Sequence, residues 1–348
     1  MYTSIRPGQV WLDTNGNRIH AHGGSILTVG DTFYWYGENK EKSVPGSNIW
    51  HYGVRMYKSK DLYNWEDLGL VLPPVLDDPK NPLNPGQFMD RPHILFCAKT
   101  GKFVLWMKIL SQGVVTIATA DAVTGPYTVL RSISPLGMIF GDFDLVVEST
   151  DSKAYVYFER VHSEMICADL TADYTDVSGY YSTHFPRISP PDVREAPAHF
   201  CRGRLHYLFT SGTTGYLPNP SEVACSWSYH GPWKVLGDPH PGDAEHVSYR
   251  SQITSVFKHP GKKDLYIALA DRWLVDLPKE LPDIGTPFRE AFATEPPDWS
   301  KCNVVGPLSQ QNTSLADYVW LPVRFDGEMA SLDWQDEWRM EDYEDLRQ

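Results

Sequence analysis

The stretch Arg194-Glu195-Ala196-Pro197-Ala198-His199-Phe200-Cys201 opens on charge and then turns apolar, and Arg202-Gly203-Arg204 turns it into the strand-like run Leu205-His206-Tyr207-Leu208-Phe209. The same plan recurs along the chain. Met89-Asp90-Arg91-Pro92-His93-Ile94-Leu95-Phe96 precedes Phe103-Val104-Leu105-Trp106, and Gly141-Asp142-Phe143-Asp144-Leu145-Val146-Val147 precedes Ala154-Tyr155-Val156-Tyr157-Phe158. Ser251-Gln252-Ile253-Thr254-Ser255 precedes Leu265-Tyr266-Ile267-Ala268-Leu269, and His20-Ala21-His22-Gly23-Gly24 precedes Phe33-Tyr34-Trp35-Tyr36. The polar heads are His22, Asp90, Asp142, Glu195 and Gln252, and each second strand starts about 10 to 13 residues later.

Large apolar residues alternate with polar ones in these runs, which is the period of a half-buried strand. Closing segments with turn residues and an aromatic, such as Gly125-Pro126-Tyr127 and Gly231-Pro232-Trp233, suit an outer edge strand, where proline forfeits no ladder bond. Repeats of about 50 residues with about four short strands each predict an all-β, five-bladed β-propeller in a single domain. The expected blades are residues 18–75, 86–136, 138–187, 192–238 and 246–300, with the ring closed by 8–13 and 318–335. A β-sandwich of similar size is the alternative fold. After Trp334 the chain turns acidic and is expected to form a short surface helix.

Composition narrows the function. A formal charge of −13 over 348 residues repels a phosphate backbone, so no nucleic-acid partner is expected. No apolar run reaches the length of a membrane span, so no membrane partner is expected either. The opening Met-Tyr-Thr-Ser-Ile-Arg-Pro-Gly lacks an apolar signal core, which favours a cytoplasmic protein over a mature secreted one. Five scattered cysteines without C-x-x-C spacing read as reduced structural thiols. The oligomeric state is not encoded in any of these features.

In a propeller the inner strand of each blade lines the central channel, so the five heads converge on one funnel. Carboxylates grouped with an amide there suit proton transfer to a glycosidic oxygen. One carboxyl must stay protonated near neutral pH, and an anionic neighbour raises its pKa, while a second group positions water. Competing structural readings stand beside this one. Glu195 could pair with Arg194, Asp90 with Arg91, Asp144 shares a strand face with Asp142, and His22 could be a satisfied core histidine.

Taken together, Trp11-Leu12-Asp13-Thr14, His20-Ala21-His22-Gly23-Gly24, Tyr34-Trp35-Tyr36-Gly37-Glu38, Arg194-Glu195-Ala196-Pro197-Ala198, Thr210-Ser211-Gly212-Thr213-Thr214-Gly215, Ser251-Gln252-Ile253-Thr254 and Tyr318-Val319-Trp320-Leu321-Pro322 span almost the whole chain. The set resembles glycoside hydrolase family 43, and within it the exo-β-1,3-galactanase-like branch. That resemblance implies hydrolysis of glycosidic bonds with inversion, with Glu195 as general acid and Asp142 as the residue tuning and orienting it. Water activation falls by the same resemblance to Asp90 or Gln252, because His20-Ala21-His22 replaces the aspartate that many family members carry on blade one. Asp90 stands where the branch usually carries glutamate. Glu38, His22, Thr213, Thr214 and Trp35 are implied sugar contacts. The implied partner is an oligosaccharide or a polysaccharide side chain, a short one because no carbohydrate-binding module follows the propeller. Arabinofuranosides or galactofuranosides are alternative substrates of the same family, and a catalytically silent sugar-binding propeller is the alternative class. No cofactor is required by this reading; a structural metal ion on the axis near His20, His22 and His246 is the one left open.

Overall fold

Alternating strands separated by glycine and asparagine turns build five antiparallel sheets in a computed structural model, which describes residues 1–346. Blade one is β1 (His22–Val29), β2 (Thr32–Glu38), β3 (Val54–Ser59) and β4 (Glu66–Leu72). Blade two is β5 (Met89–Cys97), β6 (Lys102–Ile109), β7 (Val114–Ala120) and β8 (Thr128–Ile133). Blade three is β9 (Phe140–Val147), β10 (Ala154–Arg160), β11 (Glu164–Leu170) and β12 (Val177–His184). Blade four is β13 (Glu195–Arg202), β14 (Leu205–Ser211), β15 (Ser221–Ser226) and β16 (Lys234–Gly237). The inner strands β1, β5, β9 and β13, with β17 (Gln252–Lys258), touch one another in a closed ring, which makes the fold a five-bladed β-propeller.

Burial follows from that ring. An inner strand is covered on both faces by neighbouring blades, so β5 and β9 are buried almost throughout. The outer strands β8 and β12 are mostly exposed and carry polar residues. The five cysteines are free thiols placed among these strands and loops.

The fifth blade differs from the sequence reading. β17 pairs with β18 (Tyr266–Arg272), and the two outer strands are β20 (Leu321–Asp326) and β21 (Met329–Leu332), with β19 (Asp317–Tyr318) pairing the far end of β18. Residues 275–300 supply no strand; they form part of a long insertion that holds the one α-helix among the described residues, α1 (Gly285–Ala291). The N-terminal segment adds no strand to a blade either. It clamps the seam through the Ile5–Trp338 bridge and the Gly8 amide donating to the Tyr318 carbonyl at 2.7 Å. Trp11, Trp35, Trp65 and Trp320 pack there into one aromatic cluster, with Trp35 and Trp320 centroids 4.5 Å apart. The acidic tail forms a single 3-10 turn, Met340–Asp342, instead of a surface helix, because Trp338 and Met340 are drawn into the same cluster.

Deleting residues 318–348 therefore strips β18 of its outer neighbours and removes Trp320 from the seam. The expected outcome is an insoluble or non-cooperatively melting chain in thermal denaturation; a truncated protein that melts like the full chain would refute closure through the tail.

Candidate active site

Each inner strand carries one extra residue near its head relative to its partner. The ladder skips at Gly23-Gly24 opposite Gly37, Arg91-Pro92 opposite Met107, Gly141-Asp142 opposite Glu159, Ala196-Pro197 opposite Thr210, and at Thr254. Such bulges bend a strand and re-aim its side chains. Gly23, Arg91 and Ala196 take positive φ at 60°, 54° and 49°. For Gly23 nothing else fits, since a Cβ would lie 2.3 Å from Glu38 Oε1. Pro92 and Pro197 occupy bulge positions where no ladder bond is lost.

The register then sets a second polar residue opposite four of the five heads: His22 faces Glu38, Asp90 faces Lys108, Glu195 faces Ser211 and Gln252 faces Asp271, while Asp142 lies in its bulge. These polar residues close apolar second strands, for example Lys108 after Phe103-Val104-Leu105-Trp106-Met107 and Asp271 after Ile267-Ala268-Leu269-Ala270. That recurring polar end was the readable signal for a second ring. Of its members the sequence reading singled out only Glu38.

Asp90, Asp142, Glu195 and Gln252 lie on one continuous hydrogen-bonded chain. Gln252 Nε2 donates to Glu195 Oε1 at 3.2 Å and to Ser211 Oγ at 2.9 Å. Gln252 Oε1 accepts from Arg91 at 2.5 Å and from Trp273 Nε1 at 3.1 Å. Arg91 also pairs with Asp142 at 3.0 Å, and Lys108 bridges Asp142 at 2.6 Å to Asp90 at 3.0 Å. The Trp50 indole donates to the other Asp90 oxygen at 2.6 Å. Arg91 is thus not the surface partner of Asp90; a buried lysine is.

Charge separates the carboxyls into two kinds. Arg91 and Lys108 overcome the burial of Asp142 and hold it at a pKa of about 2. Asp90 is likewise depressed despite its burial, chiefly by Lys108. Glu195 goes the other way, pushed well above the usual carboxylate range first by burial and second by the Asp142 charge. Burial is the larger cause, whereas sequence reasoning put the like-charge neighbour first. Glu195 and Gln252 remain partly accessible to solvent, while Asp90, Asp142 and Glu38 are buried.

Arg194 is not the partner of Glu195: its guanidinium is spent on the Thr210 hydroxyl and carbonyl. Asp144 is structural. It accepts from the His199 amide at 2.6 Å and meets His93 at 3.0 Å, bolting blades two, three and four together.

The five residues expected to touch sugar are all buried. His22 is fully buried, with Nδ1 2.8 Å from Asp271, whose pKa burial raises to about 7. Trp35 is 2% exposed inside the seam cluster. The Thr213 and Thr214 hydroxyls are used internally, donating to the carbonyls of Val193 and Leu217. Glu38 also sits behind the funnel surface, 1% exposed and 2.9 Å from Lys40, with burial raising its pKa to about 7. His246 is exposed and pairs with Asp238, so it does not join His20 and His22, whose rings are 5.7 Å apart.

Aromatic surface comes from loops instead. Trp50 packs on Phe88 at 4.3 Å and stacks on Tyr216 at 5.2 Å, and Tyr216 meets Trp273 at 5.1 Å. A cavity of about 370 Å³ opens along Trp50, Phe88 and Tyr216. A larger cleft of about 870 Å³, bounded by Arg187, Glu222, Glu245 and Glu280, is lined by none of the five heads. The smaller cavity is not lined by the heads either, but its Trp50 donates to Asp90 and so borders the hydrogen-bonded chain.

A propeller whose axis gathers a high-pKa carboxyl, ionised aspartates, an amide and an aromatic wall is of the class that cleaves glycosidic bonds. The chain belongs to glycosyl hydrolases family 43, whose sequence profile matches residues 19–275, and it is a glycoside hydrolase. It is similar to the solved structure of a family-43 β-1,3-galactosidase with galactodeoxynojirimycin, at 27% identity and a TM-score of 0.78 over 97% of this chain and 100% of that one. A second family-43 β-1,3-galactosidase shares 28% identity with a TM-score of 0.80 over 99% of this chain, which spans 65% of that protein's length. An exo-β-1,3-galactanase from Phanerochaete chrysosporium, with β-1,3-galactotriose, shares 25% identity with a TM-score of 0.78, covering 97% and 68% of the two chains. Comparison with curated protein sequences gives no match. No helix among the described residues is long and apolar enough to cross a membrane.

Lys108→Met leaves two buried aspartates short of their shared cation, and removing one partner of such a pair costs about 3–5 kcal/mol. Both aspartates have depressed pKa values, so their contribution is present above the unfolded value of ~3.9 and is lost as pH falls through the folded one. The stability gap between Lys108→Met and the parent in urea unfolding is therefore expected to be widest near neutrality and to narrow towards acid. A gap constant with pH would assign Lys108 to packing alone.

Proposed function

We propose that the chain is an inverting exo-β-1,3-galactosidase that removes galactose from the ends of short β-1,3-linked galacto-oligosaccharides. The observation that carries this reading is Glu195: a carboxyl raised above its ordinary range, reachable from the funnel, and 3.2 Å from an amide that is itself fixed by Arg91 and Trp273. A donor must hold its proton at working pH, and an unperturbed glutamate near ~4.3 would not. Asp142 stays ionised beside it and keeps that proton in place. Gln252, the other head open to solvent, orients the incoming water, and Asp90 supplies an ionised carboxylate across Lys108. The Trp50–Phe88–Tyr216 wall offers apolar surface to the face of a sugar ring. Support for galactose over other sugars comes from the β-1,3-galactosidases and galactanases among the similar structures.

Substrate class is tested by incubating the protein with β-1,3-galactobiose, an aryl galactofuranoside and an aryl arabinofuranoside. Galactose released from the first, initially as the α anomer by proton NMR, is the expected result. Cleavage confined to a furanoside would move the enzyme to another specificity, and no turnover on any would favour a sugar-binding propeller.

Roles are tested separately. General-acid help is worth on the order of 10²–10⁴ in rate. Glu195→Gln should lose about that much kcat/KM on galactobiose and far less on nitrophenyl galactoside, whose leaving group departs unprotonated. Because the Glu195 pKa is raised, activity declines as pH climbs through it; Asp142→Asn removes the neighbouring anion, so this basic limb should move to lower pH. Equal losses on both substrates, or an unmoved limb, would overturn the assignment. Gln252→Ala and Asp90→Asn should each slow kcat with modest change in KM, and full activity in the double variant would exclude both from water activation.

A further inference from the structure

At the far end of blade four from Glu195, His199 and Cys201 project from the same face of β13, and His206 lies directly opposite Cys201 on β14. His199 Nε2 and His206 Nδ1 are 3.1 Å apart, Cys201 Sγ is 3.2 Å from His206 Nδ1, and Cys201 Sγ is 3.9 Å from His199 Nε2. Among the described residues this is the one group of three metal-ligating side chains whose donor atoms converge within 4.8 Å. Both histidines are buried, and Cys201 is partly accessible, which leaves a way in.

A tetrahedral ion with ~2.05 Å bonds to nitrogen and ~2.3 Å to sulfur sets its ligands about 3.4 Å apart for N–N and about 3.6 Å for N–S. The two observed N–S edges, 3.2 and 3.9 Å, lie either side of the second value, and the N–N edge of 3.1 Å is slightly shorter than the first. Hydrogen bonding alone satisfies the group poorly. His206 Nδ1 is approached by both the His199 ring nitrogen and the Cys201 thiol, and on either tautomer it has a single proton or a single lone pair, so it makes one good hydrogen bond and not two. Tyr157 and Tyr229 stack on His199 at 5.0 Å and 5.4 Å, and Tyr229 meets the His206 ring at 4.3 Å, which fixes the ring planes.

We propose that His199, Cys201 and His206 form a binding site for a thiophilic divalent cation of the zinc type. Two neutral imidazoles donate lone pairs, the Cys201 thiol gives up its proton to solvent as the sulfur–metal bond forms, and the fourth position is left to water. Cys201 is six residues along β13 from Glu195, about 20 Å of strand, so the ion clips the β13–β14 hairpin and takes no part in glycoside cleavage.

The test uses the full chain, stripped with a chelator and titrated with Co²⁺ and Zn²⁺. One Co²⁺ per chain should give the visible bands of a tetrahedral ion and a thiolate-to-metal charge-transfer band, and Zn²⁺ should displace it. At about a hundred-fold excess over Kd, Zn²⁺ should raise Tm by roughly 3–5 °C. Cys201→Ser and His206→Gln should each abolish the charge-transfer band and the Tm shift while leaving glycosidase activity unchanged. Cys302→Ser, which alters the other partly accessible thiol, should keep both. Should the Cys201 variant fail to fold, protection of one thiol from a thiol reagent by Zn²⁺ in the Cys302→Ser protein reads the same site. Absence of the charge-transfer band in the parent, no thiol protection, or an equal Tm shift in Cys201→Ser would overturn the proposal.

Discussion

Two buried cations, Arg91 and Lys108, govern the centre of this propeller. Burying a charge is tolerable only when it is paired and its hydrogen-bonding capacity is used. Asp142 and Asp90 supply that compensation and are kept ionised by it. Glu195 stands beyond this balance, next to an amide and near an anion, and so takes up the proton that neither aspartate can hold. The acid–base difference between three carboxyls on equivalent strands thus follows from where two positive charges sit.

The same network ties the chemistry to ring closure. Arg91 donates its backbone amide to Glu38 on blade one, its side chain to Asp142 on blade three and to Gln252 on blade five, while Gln252 reaches Glu195 on blade four. Five blades therefore meet through two residues, Arg91 and Gln252. Gln252 holds its place only if β17 is paired through β18 to the tail strands β20 and β21, and Trp273, at the foot of β18, donates to it directly. The long insertion after Trp273 then reaches back to blade one, where the Gly46 amide donates to the Ser309 carbonyl at 2.9 Å, and its residues Leu308, Ser309, Gln311 and Thr313 line the cavity beside Trp50, Phe88 and Tyr216.

How much of this was legible depends on periodicity. The five heads were readable because repeating a strand register repeats the position of its first side chain, and β1, β13 and β17 begin at His22, Glu195 and Gln252. Trp35 was misplaced by proximity to Glu38. Three residues apart on one strand puts them on opposite faces, so a shared motif does not mean a shared surface. Lys108 follows the apolar run Phe103–Met107 on β6, where a lone cation calls for a buried anion, and the five-head register does not single it out. Trp50, Phe88 and Tyr216 lie on loops, where no period links residues that meet in space. The fifth blade was misdrawn because its outer strands follow an insertion longer than the blade itself, and chain order ceased to predict neighbours.

Position 252 shows why an amide suits this network. A carboxylate there would lie within hydrogen-bond reach of Glu195, and the two would share one proton as a dyad instead of leaving it on Glu195. It would also compete with Asp142 for Arg91, loosening the pairing that keeps Asp142 ionised. An amide does neither. Its carbonyl is oriented by two donors, Arg91 and Trp273, so its NH₂ must face Ser211 and Glu195. That NH₂ occupies Glu195 Oε1, so a proton on this carboxyl belongs on the other oxygen. Neutrality at residue 252 and charge at Arg91 are therefore two halves of one arrangement, and neither could change alone without moving the proton.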